Sequence, residues 1–199
     1  MEIDEEICAE LLDNDDPKHA FVPVDKDTDE EECCLEMQFP FIRKIFKDSV
    51  RIVPIYIGNI SSQQESGYAD ILSDHFERDD CLFIFMTNLS HWGKKYAYTK
   101  HNSDEGEIFE GVEKLDKNAM QEIEKQDPQH FNNFLKETEM NMDGKNAISI
   151  LLHMIDTSNY NLKTKFVRYS QSNHVTSQDD DSISYGSAIV FIDDGDFGL

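Results

Sequence analysis

Residues 81–93 read CLFIFMTNLSHWG, an apolar run that leads directly into a polar segment with one histidine, His91. The run Cys81–Met86 has no polar interruption, which is typical of a strand buried on both faces. We therefore predict a buried strand followed by a loop that carries His91. A histidine at a strand end can be a metal ligand, a general base or an ordinary hydrogen-bonding residue, and its position alone leaves these alternatives open.

A second apolar run, Val50–Ile57, precedes this one, and the pattern between them predicts a helix over 63–77. Strand, helix and strand in this order predict a parallel pair joined by a right-handed crossover. Ligands of open α/β sheets bind beyond the carboxyl ends of the strands, so we expect a cleft between the loops Gly58–Ser62 and Thr87–Lys95. The predicted fold class is α/β, with a mostly parallel or mixed sheet and flanking helices.

The rest of the chain alternates between periodic and polar segments. We divide it into an N-terminal helix over 1–12, a loosely packed acidic loop over 13–32 and an α/β domain over 33–199. Asp104 is predicted to cap a helix, with Glu107 reaching back three residues later. The other predicted elements are helices over 39–47, 128–135 and 146–156, strands over 162–169 and 187–192, and a polar loop over 170–185.

The charge balance narrows the classes of partner. The chain has 18 basic and 41 acidic residues and a net charge of −23, which opposes binding to nucleic acid and to anionic membranes. Basic proteins and cations remain compatible partners. No apolar stretch is long enough to span a bilayer, and no secretory signal precedes the domain, so we expect a cytoplasmic protein. The oligomeric state is left open.

Few side chains stand out as candidates for chemistry. His174 lies in the polar loop and would approach His91 if both flanking strands belonged to one sheet. Glu36 precedes a predicted helix and can cap it or bind a cation. Trp92 is either a loop anchor or a ligand platform. The four cysteines form no Cys-x-x-Cys pair, which argues against a structural zinc site, and the motifs of nucleotide-binding loops, serine hydrolases and zincins are absent.

Taken in order, several segments resemble motifs of the Memo family, mediators of receptor-tyrosine-kinase-driven cell motility. The segments that carry the resemblance are Leu35–Pro40, Ile52–Gly58, Ser90–Gly93, Gly106–Ile108, Leu115–Lys117, Asp127–Pro128, Tyr169–Ser172 and Ser182–Tyr185.

This resemblance implies a fold similar to the class III extradiol non-haem dioxygenases, the LigB-like fold. It also implies copper or iron binding with redox activity, and binding of proteins or phosphotyrosine peptides in motility or cytoskeletal signalling. The implied binding cleft contains Glu36, Asn88, His91, Trp92 and His174, and the implied metal ligand is His91.

The chain also departs from the family pattern. The N-terminal half of the family, which supplies the leading metal ligands, has no counterpart here. Asn88 stands where the family has an aspartate, Val175 where it has a cysteine, and Cys33 where it often has a histidine. A redox metal needs three or more well-placed ligands, so we expect a degenerate metal site in a partial domain.

Three functional hypotheses follow. The first is a non-enzymatic interaction protein, a pseudoenzyme that uses the old metal cleft as a ligand groove. The second is a copper- or iron-dependent oxidoreductase that completes its ligand set from elsewhere. The third is an inactive truncated homologue.

Overall fold

Helices dominate the architecture, and the strands form two small sheets. The computed structural model describes residues 1–32, 34–102, 104 and 106–195, so Cys33 lies outside the described residues. The helices are α1 (Glu5–Leu12), α2 (Lys26–Glu31), α3 (Phe39–Phe46), α4 (Ser62–Phe76), α5 (Ile108–Glu124), α6 (Pro128–Thr138) and α7 (Lys145–Thr157). The strands are β1 (Glu2–Ile3), β2 (Arg51–Ile52), β3 (His91–Trp92), β4 (Leu162–Gln171) and β5 (Ser182–Ile192).

Local capping explains where the longer helices begin. The Gln64 side chain accepts from the backbone N–H of Ser61 at 3.1 Å, which closes the first turn of α4. Before α6, the Asp127 side chain accepts from the backbone N–H of His130 at 2.9 Å, and Pro128 follows, where its missing N–H is harmless. The start of α5 differs from our prediction: Glu107 and Glu110 form the capping box, one turn later than Asp104.

The two sheets have different topologies. β1 and β2 pair in parallel, whereas the three-stranded sheet has the order β3-β5-β4 with antiparallel neighbours. β4 and β5 make a long hairpin with a register shift between Phe166 and Arg168. Both hairpin strands extend into the predicted polar loop, so only 172–181 connect them. Successive side chains of a strand point to opposite faces, so a polar segment can form a strand with only one buried face. The prediction of a loop over 170–185 overlooked this possibility.

Three apolar clusters form the core. One joins α4 and α7 through Leu72 and Met154, and a second joins α5, α6 and α7 around Phe131. The third surrounds Trp92, which is fully buried with Tyr98, Val112 and Val175. In the sequence, Ile108, Val112, Leu115, Ala119 and Ile123 recur at helical spacing, which predicts the buried stripe of α5. Val112, Ala119 and Ile123 of this stripe are buried in the structure.

The predicted parallel βαβ unit is wrong. Residues 81–86 and 53–57 belong to no helix or strand in the described chain, and β2 pairs with β1 instead. Leu82 and Ile84 are 69% and 45% exposed, so the first of these segments is not covered on both faces. The reason is that only alternate side chains, such as Phe83 and Phe85, pack against the core beside α4 and α7, and no neighbouring backbone supplies ladder hydrogen bonds.

The acidic segment 13–32 is more ordered than predicted. It contains α2, which begins where the Asp25 side chain accepts from the backbone N–H of Thr28 at 3.0 Å. The rings of His19 and Phe21 each make edge contacts with Tyr68 at 5.3 Å between centroids. Aromatic contacts thus hold the segment against α4, and its acidic composition does not indicate them.

Candidate functional site

Backbone hydrogen bonds on both sides hold the segment that carries His91. On one side β3 pairs with β5, with His91 opposite Ile183. On the other side the His91 N–H donates to the Asn141 carbonyl at 3.0 Å, and Ser90 bridges Met142. The backbone hydrogen bonds of this region are therefore made by the predicted loop Thr87–Lys95 and not by the apolar run Cys81–Met86 before it.

The His91 imidazole lies beside a carboxylate. Its Nδ1 lies 3.2 Å from Oδ2 of Asp143, and its ring lies 5.1 Å from the Tyr96 ring. The Nε2 atom is buried and has no hydrogen-bond partner in the described part of the chain. In the neutral tautomer that is protonated at Nδ1, the Nε2 lone pair is an acceptor, so this atom can accept a hydrogen bond from a ligand donor.

A glycine turn places Asp143 beside His91. Thr87 Oγ1 donates a hydrogen bond to the Asp143 carbonyl, which ties the turn to the segment before His91. Gly144 follows with φ of +70°, and a Cβ there would lie 2.9 Å from the Thr87 Cβ and 3.0 Å from the Met86 carbonyl oxygen. Residues that carry a Cβ rarely adopt a positive φ, so glycine at position 144 allows the turn to lie this close to Thr87 and Met86. Sequence reasoning missed Asp143, and the Asp-Gly pair before a helix was the available signal.

A buried polar network supports the same segment from beneath. Asp116 is fully buried, and its carboxylate accepts from the backbone N–H of Ser90 at 3.0 Å and from the Tyr169 hydroxyl at 2.7 Å. Burial raises the pKa of Asp116, although hydrogen bonds from Ser184, Ser90 and Tyr169 act in the opposite direction. The network fixes the backbone directly before His91.

Asn88 and Trp92 flank His91 in different environments. The Oδ1 atom of Asn88 is buried and unpartnered among the described residues, as is Nε1 of Trp92. The Trp92 side chain is fully buried and packs against α5 through Val112. A fully buried indole anchors a segment to the core and offers no face to an open cleft.

Glu36 and His174 lie at the periphery. Glu36 is exposed and begins a short 3-10 turn that ends at Gln38. Gln38 Nε2 donates to Met86 Sδ at 3.0 Å, which links the turn to the segment before Asn88. His174 is exposed and stacks on Phe109 with 4.5 Å between ring centroids. Over the described ranges, no contact joins either residue to His91.

The described side chains around His91 do not by themselves supply the ligands of a copper or iron ion. Redox metals need three or more nitrogen, sulfur or carboxylate donors, and no cluster of three His, Cys, Asp or Glu side chains in the described chain could hold a metal ion. His91 offers one unengaged nitrogen, while Asp143 faces the other nitrogen of the same ring. The arrangement is that of a carboxylate-oriented histidine without co-ligands.

None of the helices in the described part of the chain combines the length and the apolar character needed to cross a bilayer.

Comparison of the sequence with known proteins identifies its relatives. A family model described as Memo-like protein matches residues 1–189. Proteins named MEMO1 from Xenopus laevis and Rattus norvegicus are 29% and 30% identical over 198 residues, and these alignments cover 96% of this chain. The memo-1 homolog of Caenorhabditis elegans is 33% identical over 177 residues, covering 85% of this chain and 50% of that protein. The chain spans 65% of the length of the two vertebrate relatives.

Proposed function

The chain belongs to the Memo family, and from this premise we propose that it is a cytoplasmic interaction protein that binds ligands at the region around His91, called here the His91 pocket. The observation that carries the proposal is the His91 side chain, whose Nδ1 lies 3.2 Å from the Asp143 carboxylate and whose Nε2 is buried and has no partner among the described residues. A buried polar atom without a partner costs free energy, so a ligand donor that pairs with it gains binding energy. The proposed role is recognition in motility or cytoskeletal signalling, without turnover.

The donor set supports binding over redox catalysis. One unengaged imidazole nitrogen is sufficient to accept a hydrogen bond from a ligand, but a redox metal needs more donors than the described residues around His91 supply. On this proposal the metal site implied by family resemblance is degenerate, and the LigB-like topology serves as a scaffold for a binding pocket.

A fluorescence anisotropy titration tests the proposal directly. The probe is a labelled phosphotyrosine peptide, whose amide N–H groups can donate to Nε2 of His91 whereas its ionised phosphate oxygens only accept, and its unphosphorylated form is the comparison. We expect saturable binding to the purified chain and a loss of at least about tenfold in affinity for His91→Ala, which corresponds to about 1.4 kcal/mol.

The chain provides a matched control for this variant. His174→Ala removes an exposed histidine that stacks on Phe109 and should leave the affinity unchanged. Equal binding by wild type and His91→Ala, or equal losses in both histidine variants, would refute the pocket.

A second candidate is a copper- or iron-dependent oxidoreductase, and the Asp143–His91 pair favours it because metal-binding histidines usually carry such a carboxylate on the other nitrogen. Metal analysis of the purified chain separates the two proposals. Stoichiometric copper or iron that disappears in His91→Ala would support the enzyme, whereas no metal above background would exclude it.

An inactive truncated homologue is the third alternative, and unfolding distinguishes it from both. A cooperative urea transition together with saturable binding contradicts this alternative. A gradual transition without ligand binding would support it.

A further inference from the structure

Helix α3 carries apolar side chains that the rest of the described chain leaves uncovered. Phe41 and Ile45 are 65% and 69% exposed, and Met37, in the short turn directly before the helix, is 60% exposed. Among the described residues, none from α3 belongs to any of the three apolar clusters of the core, and none is buried. An amphipathic helix usually turns its apolar side toward a packing partner, so these side chains are open to one from outside.

The spacing of the three exposed residues places them on one face of the helix. Met37, Phe41 and Ile45 follow each other at intervals of four residues, and side chains four apart on a helix are neighbours. They form one stripe, the α3 stripe, along about 12 Å of the helix axis, since each residue adds about 1.5 Å. Ile42 and Phe46, on the next face, are partly buried. The helix therefore turns one side toward the molecule and exposes the stripe on another.

The charges beside the stripe indicate the chemistry of the partner. Residues 37–47 contain three basic residues and no acidic residue, in a chain whose net charge is −23. Arg43 is paired with Asp48, so its charge is already compensated. Lys44 and Lys47 are exposed, and neither side chain makes a hydrogen bond or ion pair with another residue that the structure describes. Two unpaired ammonium groups beside an apolar stripe attract carboxylates.

The charges also give the partner a direction along the stripe. Lys44 lies three residues after Phe41, on the adjoining row of side chains, and Lys47 follows the last helical residue. At the other end, the exposed Glu36 precedes Met37. A segment that covers the stripe therefore meets positive charge at one end and negative charge at the other, and its carboxylates lie at the end that carries the lysines.

Two other occupants fit these charges less well. In a symmetric dimer the same surface of both copies is in contact, which brings the lysines of one α3 toward those of the other. An anionic bilayer faces the carboxylates of the whole chain, whose net charge is −23, and not α3 alone. A helical segment of a partner protein contacts only the stripe and its neighbouring lysines, and the side-chain ridges of one helix fit the grooves of another.

We infer that the α3 stripe is a docking surface for an acidic amphipathic helix of a partner protein. The apolar face of that helix covers the stripe, and its carboxylates pair with Lys44 and Lys47. Within the described ranges, these residues make no hydrogen bond, ion pair or ring contact with His91. The inference therefore does not rest on the function proposed for the His91 pocket.

Designed peptides test the inference with the purified chain. The probe is a fluorescent, helix-forming peptide of leucine, alanine and glutamate, with the leucines on one face and the glutamates on both sides of that face. One control carries glutamine in place of each glutamate, and a second keeps the composition but rearranges the leucines so that they form no stripe. We expect saturable binding of the probe in anisotropy and an affinity at least about tenfold lower for each control.

Two double variants locate the binding surface on the chain. Phe41→Ala with Ile45→Ala removes apolar contact while retaining helix propensity, and should weaken binding of the probe by at least about tenfold. Lys44→Gln with Lys47→Gln removes the charges and should also weaken it by about tenfold. The remaining affinity of the second variant should depend less on salt concentration, because screening acts on the charge pairs that it lacks.

Matched controls make the same kinds of change elsewhere on the surface. Val22→Ala shortens an apolar side chain that is 78% exposed. Lys18→Gln with Lys136→Gln removes two exposed positive charges. Neither control should change the affinity for the probe. Circular dichroism and urea midpoints establish that every variant folds.

Hydrogen exchange with and without the probe gives the decisive readout. Slower exchange of the α3 amides on addition of the probe supports docking at this helix. Equal binding of all three peptides, or equal affinity of wild type and both α3 double variants, overturns the inference. Binding to phosphatidylserine vesicles that Phe41→Ala with Ile45→Ala abolishes, in the absence of probe binding, overturns it in favour of a membrane. A dimer in analytical ultracentrifugation that the same variant dissociates overturns it in favour of a second copy.

Discussion

Replacing Tyr169 by phenylalanine removes one oxygen from the buried network beneath His91, and the cost of this change is expected to depend on pH. The Tyr169 hydroxyl donates to the Asp116 carboxylate at 2.7 Å and accepts from Gln171 Nε2 at 2.9 Å. The aromatic ring itself is retained, so packing changes little. The perturbation therefore isolates the hydrogen bonds that fix the segment before His91.

The magnitude follows from these two bonds. A hydrogen bond to a charged group contributes about 1.5–3 kcal/mol, and a neutral one about 0.5–1.5 kcal/mol. Gln171 keeps a partner, since it also donates to the Phe109 carbonyl at 2.9 Å. Asp116 keeps the backbone N–H of Ser90 at 3.0 Å. We therefore expect Tyr169→Phe to lower the free energy of unfolding by about 2–3 kcal/mol at neutral pH.

The sign of the pH dependence follows from the pKa of Asp116. Burial raises this pKa in the folded protein, so the stabilisation from this group is fully present below the ordinary aspartate pKa of about 3.9 and is lost as pH rises through the folded value. Removing the Tyr169 donor raises the folded pKa of Asp116 further, because the donor favours the ionised carboxylate. The cost of Tyr169→Phe should therefore be smallest at acidic pH and grow toward neutral pH.

Urea unfolding of wild type and variant across this pH range measures the effect. Tyr185→Phe is the matched control, because Tyr185 lies on the neighbouring strand with an exposed side chain and should cost less than about 0.5 kcal/mol. In the Asp116→Asn background, the cost of Tyr169→Phe should fall below about 1 kcal/mol, since the charged acceptor is gone. A cost that is equal at all pH values, or no larger than that of the control, would refute the reasoning.

Three further changes test other parts of the structure. Phe131 is fully buried in the core beside α5 and α7, so Phe131→Ala should lower the free energy of unfolding by about 3–5 kcal/mol; a loss below about 1 kcal/mol in urea titration would contradict this packing. Asp127→Ala removes the cap of α6 and should cost about 1 kcal/mol, whereas Asp127→Asn should retain most of the stability in the same assay. Gly144→Ala forces a side chain into a backbone with positive φ and against Thr87, and should cost more than about 1 kcal/mol and weaken phosphotyrosine-peptide binding in anisotropy. Unchanged stability and affinity for Gly144→Ala would show that the turn does not position Asp143.

Local sequence patterns predict the helices of this chain well. The stripe of α5, the Asp127-Pro128 start of α6 and the apolar α7 all follow from helix periodicity and capping chemistry. These features depend on residues within one or two turns of each other.

Pairing of the strands was harder to predict, because it depends on distant segments. The apolar character of residues 81–86 indicates a buried strand but cannot specify which backbone lies beside it. In the structure the paired residues begin only at Leu89, whose N–H donates to the Ser184 carbonyl at 2.9 Å. A short run of apolar residues carries no information about such a partner.

The candidate site was predicted in part. His91 was singled out from its position after the apolar run, but Asp143 lies far along the chain, and the Asp143-Gly144 pair indicates a turn without indicating that it meets His91. The burial of Trp92 and the stacking of His174 on Phe109 likewise depend on tertiary contacts. Single-sequence patterns therefore singled out His91 as a candidate, whereas the geometry around it required the fold.

The pairing of His91 with Ile183 has a consequence for how the protein is made. During synthesis, the segment around His91 leaves the ribosome long before β5, so it has no partner on that side while most of the chain is still being added. Contacts between residues so distant in sequence form slowly, and the apolar segment before His91 remains open meanwhile. Newly made chains should therefore depend on chaperones until β5 emerges, and the binding pocket should be among the last parts of the molecule to form.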